Sequence, residues 1–274
     1  MANHKGRRLL GQSKGWKSVR VNVEDAVTAL VTSNDNLVYN ALSFATATLG
    51  IAFVFFLVSR NRVSVNYRSA VTMSAMICGV AAYHYWRMFS NFSAGSWNEG
   101  YRYADWLLTV PLLVAELVVV AGVSKEVAKK ITPRLVIAAL LMIATGYPGE
   151  VADPGSTSRY VWFFISFAFM LYVLYELFAG TIGKTLKSQT GEIGKKLNNL
   201  RYVLVVTWVI YPIFYLLGDS TSFVAKIFNL STEESATVIQ VGYSISDILA
   251  KAGYGLLILG IATARSDAEG YRAA

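Results

Sequence analysis

Runs of about 20 mostly apolar residues recur along nearly the whole chain, separated by polar connections. About 20 such residues are the length that an α-helix needs to cross the hydrocarbon core of a bilayer. The fourth run is short and the sixth contains Pro212, but polar connections flank both. We predict an all-α bundle of seven transmembrane helices within residues 36–263, with spans at 37–58, 69–90, 102–122, 134–148, 160–180, 200–217 and 236–263.

The charges of the connections predict how the bundle is oriented. Three connections are rich in cations, which are Arg60, Arg62, Arg68, Lys125, Lys129, Lys130, Lys184, Lys187, Lys195 and Lys196. The connections that alternate with them, at 91–101, 149–159 and 218–235, contain only Arg159 and Lys226. Cytoplasmic loops carry an excess of lysine and arginine. We therefore expect the C-terminus in the cytoplasm and the N-terminus outside.

The two ends of the chain lie outside the predicted bundle. Residues 1–35 begin with a basic arm and include 23–32, where we expect a short helix outside the membrane. Residues 264–274 form a cytoplasmic tail in this interpretation. The arm accounts for much of the formal net charge of +8, but no aromatic-interleaved fold accompanies it, so we predict no nucleic-acid partner.

Composition agrees with a multi-pass protein of the cell membrane, surrounded by lipid. Hydrophobic residues make up 54% of the 274 residues and charged residues 15%, against roughly 25% charged residues in soluble domains. Cys78 is the only cysteine, so an intrachain disulfide is excluded. The sequence shows no metal-ligand cluster, nucleophile motif or phosphate loop, and we predict a protein that is not an enzyme.

Charged residues inside the predicted spans are few. Asp247 and Lys251 are four residues apart, one helical turn on one face of the seventh span. Arg102, Asp105, Thr109 and Glu116 share one stripe of the third span, at intervals of three, four and seven residues. Charges at mid-membrane cost about 2.5–3.5 kcal/mol each and usually face the bundle interior. With the predicted orientation, Asp105 lies in the outer half and Glu116 in the inner half.

The residues alone leave two interpretations open. Asp247 and Lys251 form either a buried structural ion pair or part of a functional site. Read singly, His84 is a hydrogen-bonded core histidine, and Thr109 bonds its own backbone. The aromatic residues of the spans, Trp106, Trp208, Tyr211 and Tyr215, are then core residues.

Two segments carry a resemblance to a known family. "YRYADWLLTVPLLVAEL" (101–117) and "SDILAKAGYG" (246–255) resemble the microbial, type 1, rhodopsins. The similarity extends through "WVIYPIFYLLG" (208–218), "LMIATGYPGE" (141–150) and "AAYHYWRM" (81–88), and covers about residues 36–263. The "ATGYPGE" segment is similar to the proteorhodopsin and xanthorhodopsin branch.

The resemblance implies that Lys251 carries all-trans retinal as a Schiff base. Asp105 and Asp247 would form its counter-ion pair, and Arg102 would support them from the outer side. His84 matches the histidine that bonds the counter-ion aspartate in this branch. The retinal pocket would be lined by Trp106, Thr109, Met142, Gly146, Ser166, Trp208, Tyr211, Pro212 and Tyr215.

Asp105, Thr109 and Glu116 match the position triad of the outward proton pumps. Asp105 would accept the proton on the outer side. An apolar inner half disfavours a carboxylate, so we expect Glu116 to hold a proton and to act as the donor. The resemblance therefore implies a light-driven outward proton pump. The alternatives are a photosensory rhodopsin that signals through a partner, and a seven-helix chemoreceptor without retinal, against which Lys251 in its motif argues.

Several positions depart from or refine the family pattern. Phe163 stands where carotenoid-binding xanthorhodopsins have a glycine, so we expect no antenna carotenoid. Ile239 aligns with the outer glutamate that releases the proton in archaeal pumps; Glu233 and Glu234 are nearby, and the sequence assigns no release group. Leu113 at the colour-tuning position favours green absorption. The family implies a homo-oligomer, a trimer or a pentamer.

Overall fold

A computed structural model describes residues 33–271, with side chains from Asn34 onward. The predicted arm at 1–20 and the predicted short helix at 23–32 lie outside the described residues. Residues 33–35, which we assigned to the N-terminal segment, belong to the first helix.

The described residues form helices joined by short connections, without a β-strand in this range. In chain order the helices are α1 (Ser33–Ser59), α2 (Arg68–Ser93), α3 (Gly100–Ala121), α4 (Lys125–Glu150), α5 (Thr157–Phe178), the short α6 (Thr181–Ser188), α7 (Gly191–Leu217), the short α8 (Phe223–Ile227), α9 (Thr232–Asp247) and α10 (Tyr254–Ala268). A 3-10 turn, Arg60–Arg62, follows α1, and a π-helical turn, Ile248–Gly253, joins α9 to α10.

Seven long segments pack side by side, which confirms the predicted seven-helix bundle. Consecutive helices from α1 to α5 are neighbours, and α9 packs against both α1 and α7, which closes the ring. The last long segment is continuous from Thr232 to Ala268 and is called the seventh span below. The core is the interior of the ring, where the buried apolar side chains form one cluster.

Five described segments are long and apolar enough to cross a membrane: Asn34–Arg62, Gly100–Ala121, Thr157–Ser188, Gly191–Leu217 and Thr232–Ala268. The other two long helices, α2 and α4, have the length but are less apolar. Polar residues and prolines lower the mean hydropathy of these two helices. Examples are Ser74 and His84 in α2 and Pro133 and Arg134 in α4. These two helices pack alongside their more apolar neighbours as members of the same bundle.

The predicted boundaries were wrong at the lysine-rich connections. Helix α4 begins at Lys125, not at 134, and α7 begins at Gly191, not at 200. The lysine-rich connection between the predicted spans 160–180 and 200–217 contains all of α6. Apolar runs mark only the part of a helix inside the hydrocarbon core, and the helical backbone continues beyond it. At the start of α4 the Ser124 hydroxyl accepts the Val127 N–H at 3.3 Å and so caps the helix.

Helix α10 continues past residue 263 to Ala268. Arg265 lies in this continuation and donates to the carbonyl oxygens of Val120 at 2.8 Å and Ala121 at 3.1 Å. These carbonyls are at the end of α3, which Gly122 terminates with a φ of 76°. A Cβ at Gly122 would collide with the Arg265 guanidinium. The positive φ at this position favours glycine, and the Arg265 contact holds the third span against the seventh.

At the other end of the bundle, Asp219 ties together the connections that follow α4 and α7. Its Oδ2 accepts the Gly155 N–H at 2.9 Å, and its Oδ1 accepts the Thr221 N–H at 2.9 Å and the Thr221 hydroxyl at 2.6 Å. Arg159 Nε lies 3.4 Å from Oδ2. Asp219 is 2% exposed, so its carboxylate takes these four contacts in place of water.

We predict that Asp219→Asn destabilises the protein by about 1–3 kcal/mol, because it leaves buried donors unpartnered. Burial alone would raise the pKa of Asp219, but the Thr221 hydroxyl, the Gly155 and Thr221 N–H groups and Arg159 outweigh it and hold the pKa below its ordinary value. A lowered folded-state pKa gives stability that is present above the unfolded-state pKa and is lost as the pH falls through the folded-state pKa. Thermal unfolding from pH 7 downward measures the difference between wild type and variant.

That difference should be largest at neutral pH and should shrink below about pH 4, near the unfolded-state pKa of an aspartate. Asp153→Asn, in the same connection as Gly155, serves as the control. A difference that stays constant down to pH 3 would contradict the role of the Asp219 charge.

Candidate functional site

The charged residues of the third and seventh spans meet inside the bundle. Arg102, Asp105, Thr109 and Glu116 lie along the buried face of α3, each 0% exposed. On the seventh span Asp247 is 0% exposed and Lys251 is 2% exposed. Each of these groups would be costly to bury alone, so their mutual contacts decide what the site can do.

Lys251 occupies the π-helical turn at the middle of the seventh span. Its Nζ lies 2.5 Å from Asp105 Oδ2 and 3.0 Å from Asp247 Oδ2. Single π-helical turns inside α-helices are rare and occur frequently at functional sites. One buried cation therefore bridges two carboxylates on different helices, and Arg102 supplies the second positive charge nearby.

The two carboxylates differ in their remaining partners. Asp247 accepts the hydroxyls of Tyr85 at 2.9 Å and Tyr211 at 2.5 Å, and the Trp106 indole N–H at 3.1 Å. Asp105 Oδ1 is buried and has no hydrogen-bond partner within the described residues. Four donors hold Asp247 as a carboxylate, whereas Asp105 has an oxygen free to bind a proton.

Thr109 bonds its own backbone, as the interpretation of Thr109 as an ordinary helix residue predicts. Its hydroxyl donates to the backbone oxygen of Asp105 at 2.9 Å, one turn earlier in α3, and not to the carboxylate. The hydroxyl therefore leaves Asp105 Oδ1 without a donor.

Arg102 supports the site indirectly. Its Nη1 donates to the Tyr85 hydroxyl at 2.9 Å, and its Nη2 donates to Gln240 Oε1 at 2.6 Å. Tyr85 in turn bonds Asp247, so one hydroxyl joins the guanidinium to the counter-ion. The guanidinium also lies 5.5 Å from the centre of the Tyr85 ring and 5.2 Å from that of Tyr243.

The structure does not form the bond between His84 and Asp105 that the resemblance implied. His84 Nδ1 has no hydrogen-bond partner within the described range. The ring instead packs edge-on against Tyr83 at 5.1 Å and lies 6.5 Å from Tyr101. Tyr85, the next residue of α2, points into the bundle and takes the polar contact with the site. Successive residues of a helix point in different directions, so His84 and Tyr85 do not both face the interior of the bundle.

Glu116 lies in the other half of the bundle. The Ser74 hydroxyl donates to its Oε2 at 2.7 Å, while Oε1 has no partner within 33–271. The Tyr254 hydroxyl, one turn beyond Lys251, is also buried and without a partner in this range. A single neutral donor for a fully buried carboxyl group fits a protonated acid better than a carboxylate.

A cavity of about 110 Å³ begins at Lys251 and Asp247 and extends between α3, α4, α5 and α7. Eight of the predicted pocket residues line it: Trp106, Met142, Gly146, Ser166, Trp208, Tyr211, Pro212 and Tyr215. The ninth, Thr109, does not. Further lining residues include Tyr103, Val110, Leu113, Ile143, Phe163, Phe167, Met170 and Tyr243. The wall is mainly apolar and aromatic, with one amine at its end.

This cavity fits a long, flat apolar group bound through an amine. Trp106 and Tyr211 meet edge-to-face at 5.2 Å, so their rings form two walls of a slot. A Cβ on Gly146 would lie 3.2 Å from Ser166 Oγ and 3.3 Å from a Tyr103 ring carbon, so any larger residue would narrow the slot. Lys251 is the only lysine among the lining residues. The described residues hold no group of three or more His, Cys, Asp or Glu side chains that could bind a metal.

Comparison with known proteins decides the family. Residues 37–265 match the family model described as bacteriorhodopsin-like protein. The chain belongs to the bacteriorhodopsin-like family. Membership confirms a multi-pass membrane protein of the microbial rhodopsin type, and it implies a retinal chromophore.

Individual relatives support the same placement. The chain is similar to a green-light absorbing proteorhodopsin from a gamma-proteobacterium, with 30% identity over 236 residues that cover 83% of this chain and 88% of the relative. It is also similar to bacteriorhodopsin from Halobacterium salinarum, with 31% identity over 246 residues. The match covers 86% of this chain and 87% of that relative.

A crystal structure of xanthorhodopsin, described as a light-driven ion pump with dual chromophore, superimposes on this rhodopsin with a TM-score of 0.79. The two chains are 39% identical, and the match covers 88% of this chain and 98% of the other. The structure of thermophilic rhodopsin gives a TM-score of 0.77 at 36% identity and covers 88% and 98%.

Several contacts of this rhodopsin's site were missed in the sequence. Ser74 and Tyr85 lie eleven residues apart on α2, which is about three helical turns, and they serve Glu116 and Asp247 respectively. Gln240 precedes Asp247 by seven residues, two turns along the same face. Helical spacing could have suggested these three residues. Glu99 lies three residues before Arg102, and this i,i+3 spacing, which continues the stripe of α3 by one turn, could have suggested it as well.

Proposed function

We propose that the protein is a light-driven outward proton pump, an ion transporter and not an enzyme, with all-trans retinal bound covalently through Lys251 Nζ. The observation that carries the proposal is the pair of acids on α3: Asp105 in contact with Lys251 and with one free oxygen, and Glu116 buried further along the same face. The related proteorhodopsins and bacteriorhodopsin, and xanthorhodopsin as a light-driven ion pump, support it.

The retinal, when bound, supplies light absorption and the change of shape that starts the cycle. The protein holds and moves the protons. Lys251 Nζ gives its proton to Asp105, whose Oδ1 has no donor among residues 33–271, while Asp247 stays ionised because Tyr85, Tyr211 and Trp106 donate to it. Glu116 then returns a proton to Lys251 Nζ from the other side.

The direction of transport follows from the orientation, which is part of the proposal. The positive-inside rule supports a cytoplasmic C-terminus and an N-terminus outside. The connections rich in lysine and arginine are at the end of the bundle where Arg265 caps α3, and Glu116 is nearer to that end than Asp105. An acceptor toward the outside and a donor toward the cytoplasm move protons outward.

A photosensory rhodopsin is the alternative. Glu116 favours transport, because a buried carboxyl group on the cytoplasmic side of Lys251 supplies a proton donor that reloads the amine, whereas a sensor gains nothing from fast reloading. Illumination of an unbuffered suspension of cells that express the protein with retinal distinguishes the two. We expect external acidification that a protonophore abolishes; a coloured protein without a pH change would favour the sensor.

We predict that Glu116→Gln slows the return of the proton to Lys251 by about a hundredfold or more, because the amide cannot donate a proton as an acid does. Flash photolysis of the visible band measures this step. Glu192→Gln, an exposed residue at the basic end that pairs with Lys196 at 3.1 Å, is the matched control and should leave the rate unchanged. A normal rate in Glu116→Gln would mean that the donor is another group.

Three finer features complete the proposal. Phe163 stacks between Phe167 and Tyr215, with ring centres at 5.8 and 5.2 Å, and its side chain supports the absence of a carotenoid antenna beside the cavity. Leu113 lines the cavity and supports green absorption. Assembly as a trimer or a pentamer stays a prediction.

A further inference from the structure

A continuous line of polar contacts runs from Lys251 to the end of the bundle opposite Glu116. The line passes from Lys251 to Asp247 at 3.0 Å, to Tyr85 at 2.9 Å, to Arg102 at 2.9 Å, to Gln240 at 2.6 Å and to Glu99 at 2.6 Å. All members before Glu99 are at most 8% exposed. Glu99 is the member of this line where the buried network meets the surface.

Glu99 has one engaged oxygen and one free oxygen. Its Oε1 accepts the Trp97 indole N–H and the Gln240 amide N–H, both at 2.6 Å. Its Oε2 is buried, lies 3.8 Å from Arg102 Nε, and has no hydrogen-bond partner within 33–271. The side chain as a whole is 21% exposed. Glu99 is therefore anchored in the network and open to water at the same time.

The other carboxyl groups near this end have different surroundings. Ile239, at the position of the archaeal release glutamate, is apolar. Glu233 accepts a bond from Asn34 at 3.1 Å, and Glu234 completes the helix cap at Ser231. Glu150 is bonded by the Tyr103 hydroxyl at 3.4 Å and is not part of the line to Lys251.

We infer that Glu99 is the group that releases the transported proton to the outer side. This rests on the proposed function, in which Asp105 receives the proton from Lys251. In the net reaction, the O–H bond at Asp105 breaks and an O–H bond forms at the Glu99 carboxyl group; that bond then breaks as a surface water takes the proton at the exposed part of the side chain, and the carboxylate is restored. Arg102 and Gln240 keep their own protons, so the line of contacts positions Glu99 and does not itself carry the proton. Trp97 and Gln240 donate to Oε1 and so hold the side chain at the surface end of the line.

The test measures when protons reach the outer solution after a flash. A water-soluble pH indicator reports release, and a visible-band signal reports proton transfer from Lys251 to Asp105 in the same sample. In Glu99→Gln we expect release to be delayed by about tenfold or more, with an unchanged transfer to Asp105. Glu99→Asp, which keeps a carboxyl group, should recover part of the release rate.

Glu150→Gln is the matched control, because it removes a buried carboxyl group at the same end but outside the line. Release that is unchanged in Glu99→Gln, or slowed equally in Glu150→Gln, would overturn the assignment. If Glu99→Gln does not assemble, infrared difference spectra with ¹³C-labelled glutamate decide the question in the wild type and in Glu99→Asp. A carboxyl band that changes during release and shifts with ¹³C-glutamate labelling in the wild type, but does not shift with that labelling in Glu99→Asp, supports Glu99. A band that shifts with the labelling in both proteins overturns the assignment.

Failure of this inference is distinct from failure of the proposed function. If wild-type cells acidify the medium in light and Glu99→Gln releases protons normally, the pump stands and the release group is wrong. If wild-type cells produce no acidification, the pump itself is wrong, and Glu99 then has no proton to release.

Discussion

Lys251→Ala is expected to give a colourless protein that binds no retinal covalently and is less stable than the wild type. Lys251 Nζ is the amine at the end of the aromatic cavity, and no other lysine lines it. The substitution also removes the cation between Asp105 and Asp247, both 0% exposed. Removal of one partner from a buried ion pair costs about 3–5 kcal/mol. Absorption after addition of retinal and thermal unfolding of the retinal-free proteins measure the two effects.

Lys251→Arg separates the two effects. It keeps a positive charge next to the carboxylates but cannot attach retinal as lysine does. We expect this variant to be colourless as well, and to recover part of the stability that Lys251→Ala loses. A visible band in either variant would refute the assignment of Lys251.

The second large effect is expected for Asp105→Asn, which should lower light-driven acidification at least about a hundredfold. The asparagine has no carboxylate to take the proton of Lys251. Asp247 does not replace it, because the hydroxyls of Tyr85 and Tyr211 and the indole of Trp106 already occupy its oxygens. Initial rates of pH change, normalised to the amount of pigment, measure the loss.

Asp247→Asn is the informative partner of this variant. The Asp247 carboxylate accepts from three neutral donors. An amide nitrogen in place of one carboxylate oxygen leaves buried donors without an acceptor, and each such donor costs about 1–3 kcal/mol of stability. We therefore expect Asp247→Asn to lose more stability than Asp105→Asn. If the two variants lose the same stability, the difference between the two carboxylates that we describe does not exist in the folded protein.

The bundle and much of the site could be predicted from the sequence. The apolar runs predicted seven helices, and the structure contains all seven long segments. The stripe from Arg102 to Glu116 and the pair in the seventh span are set by helical spacing, and the structure buries all of these residues. The errors fell at helix ends such as Lys125 and Gly191, where polarity stops marking the membrane but the backbone hydrogen bonds continue.

The polar partners of the site were much harder to predict from the sequence. Tyr85 reaches Asp247 across 162 positions of the chain, and Glu99 reaches Gln240 across 141. Helical spacing can indicate that such residues share a face of one helix, but it does not indicate which residue of another helix each one contacts. His84 is an example of the reverse: a motif implied a bond with Asp105, yet the neighbouring Tyr85 faces the site while the His84 ring packs against Tyr83.

The sequence determined which residues lie in the membrane, which share a helical face and that Lys251 lies inside a span, because these properties depend on composition and on the 3.6-residue period of one helix. The tertiary structure decided which carboxylate oxygens are partnered, why Asp105 and Asp247 differ, and that Glu99 joins the network of Arg102. Those properties depend on distances of a few ångströms between helices, and these are fixed only when all seven segments pack together.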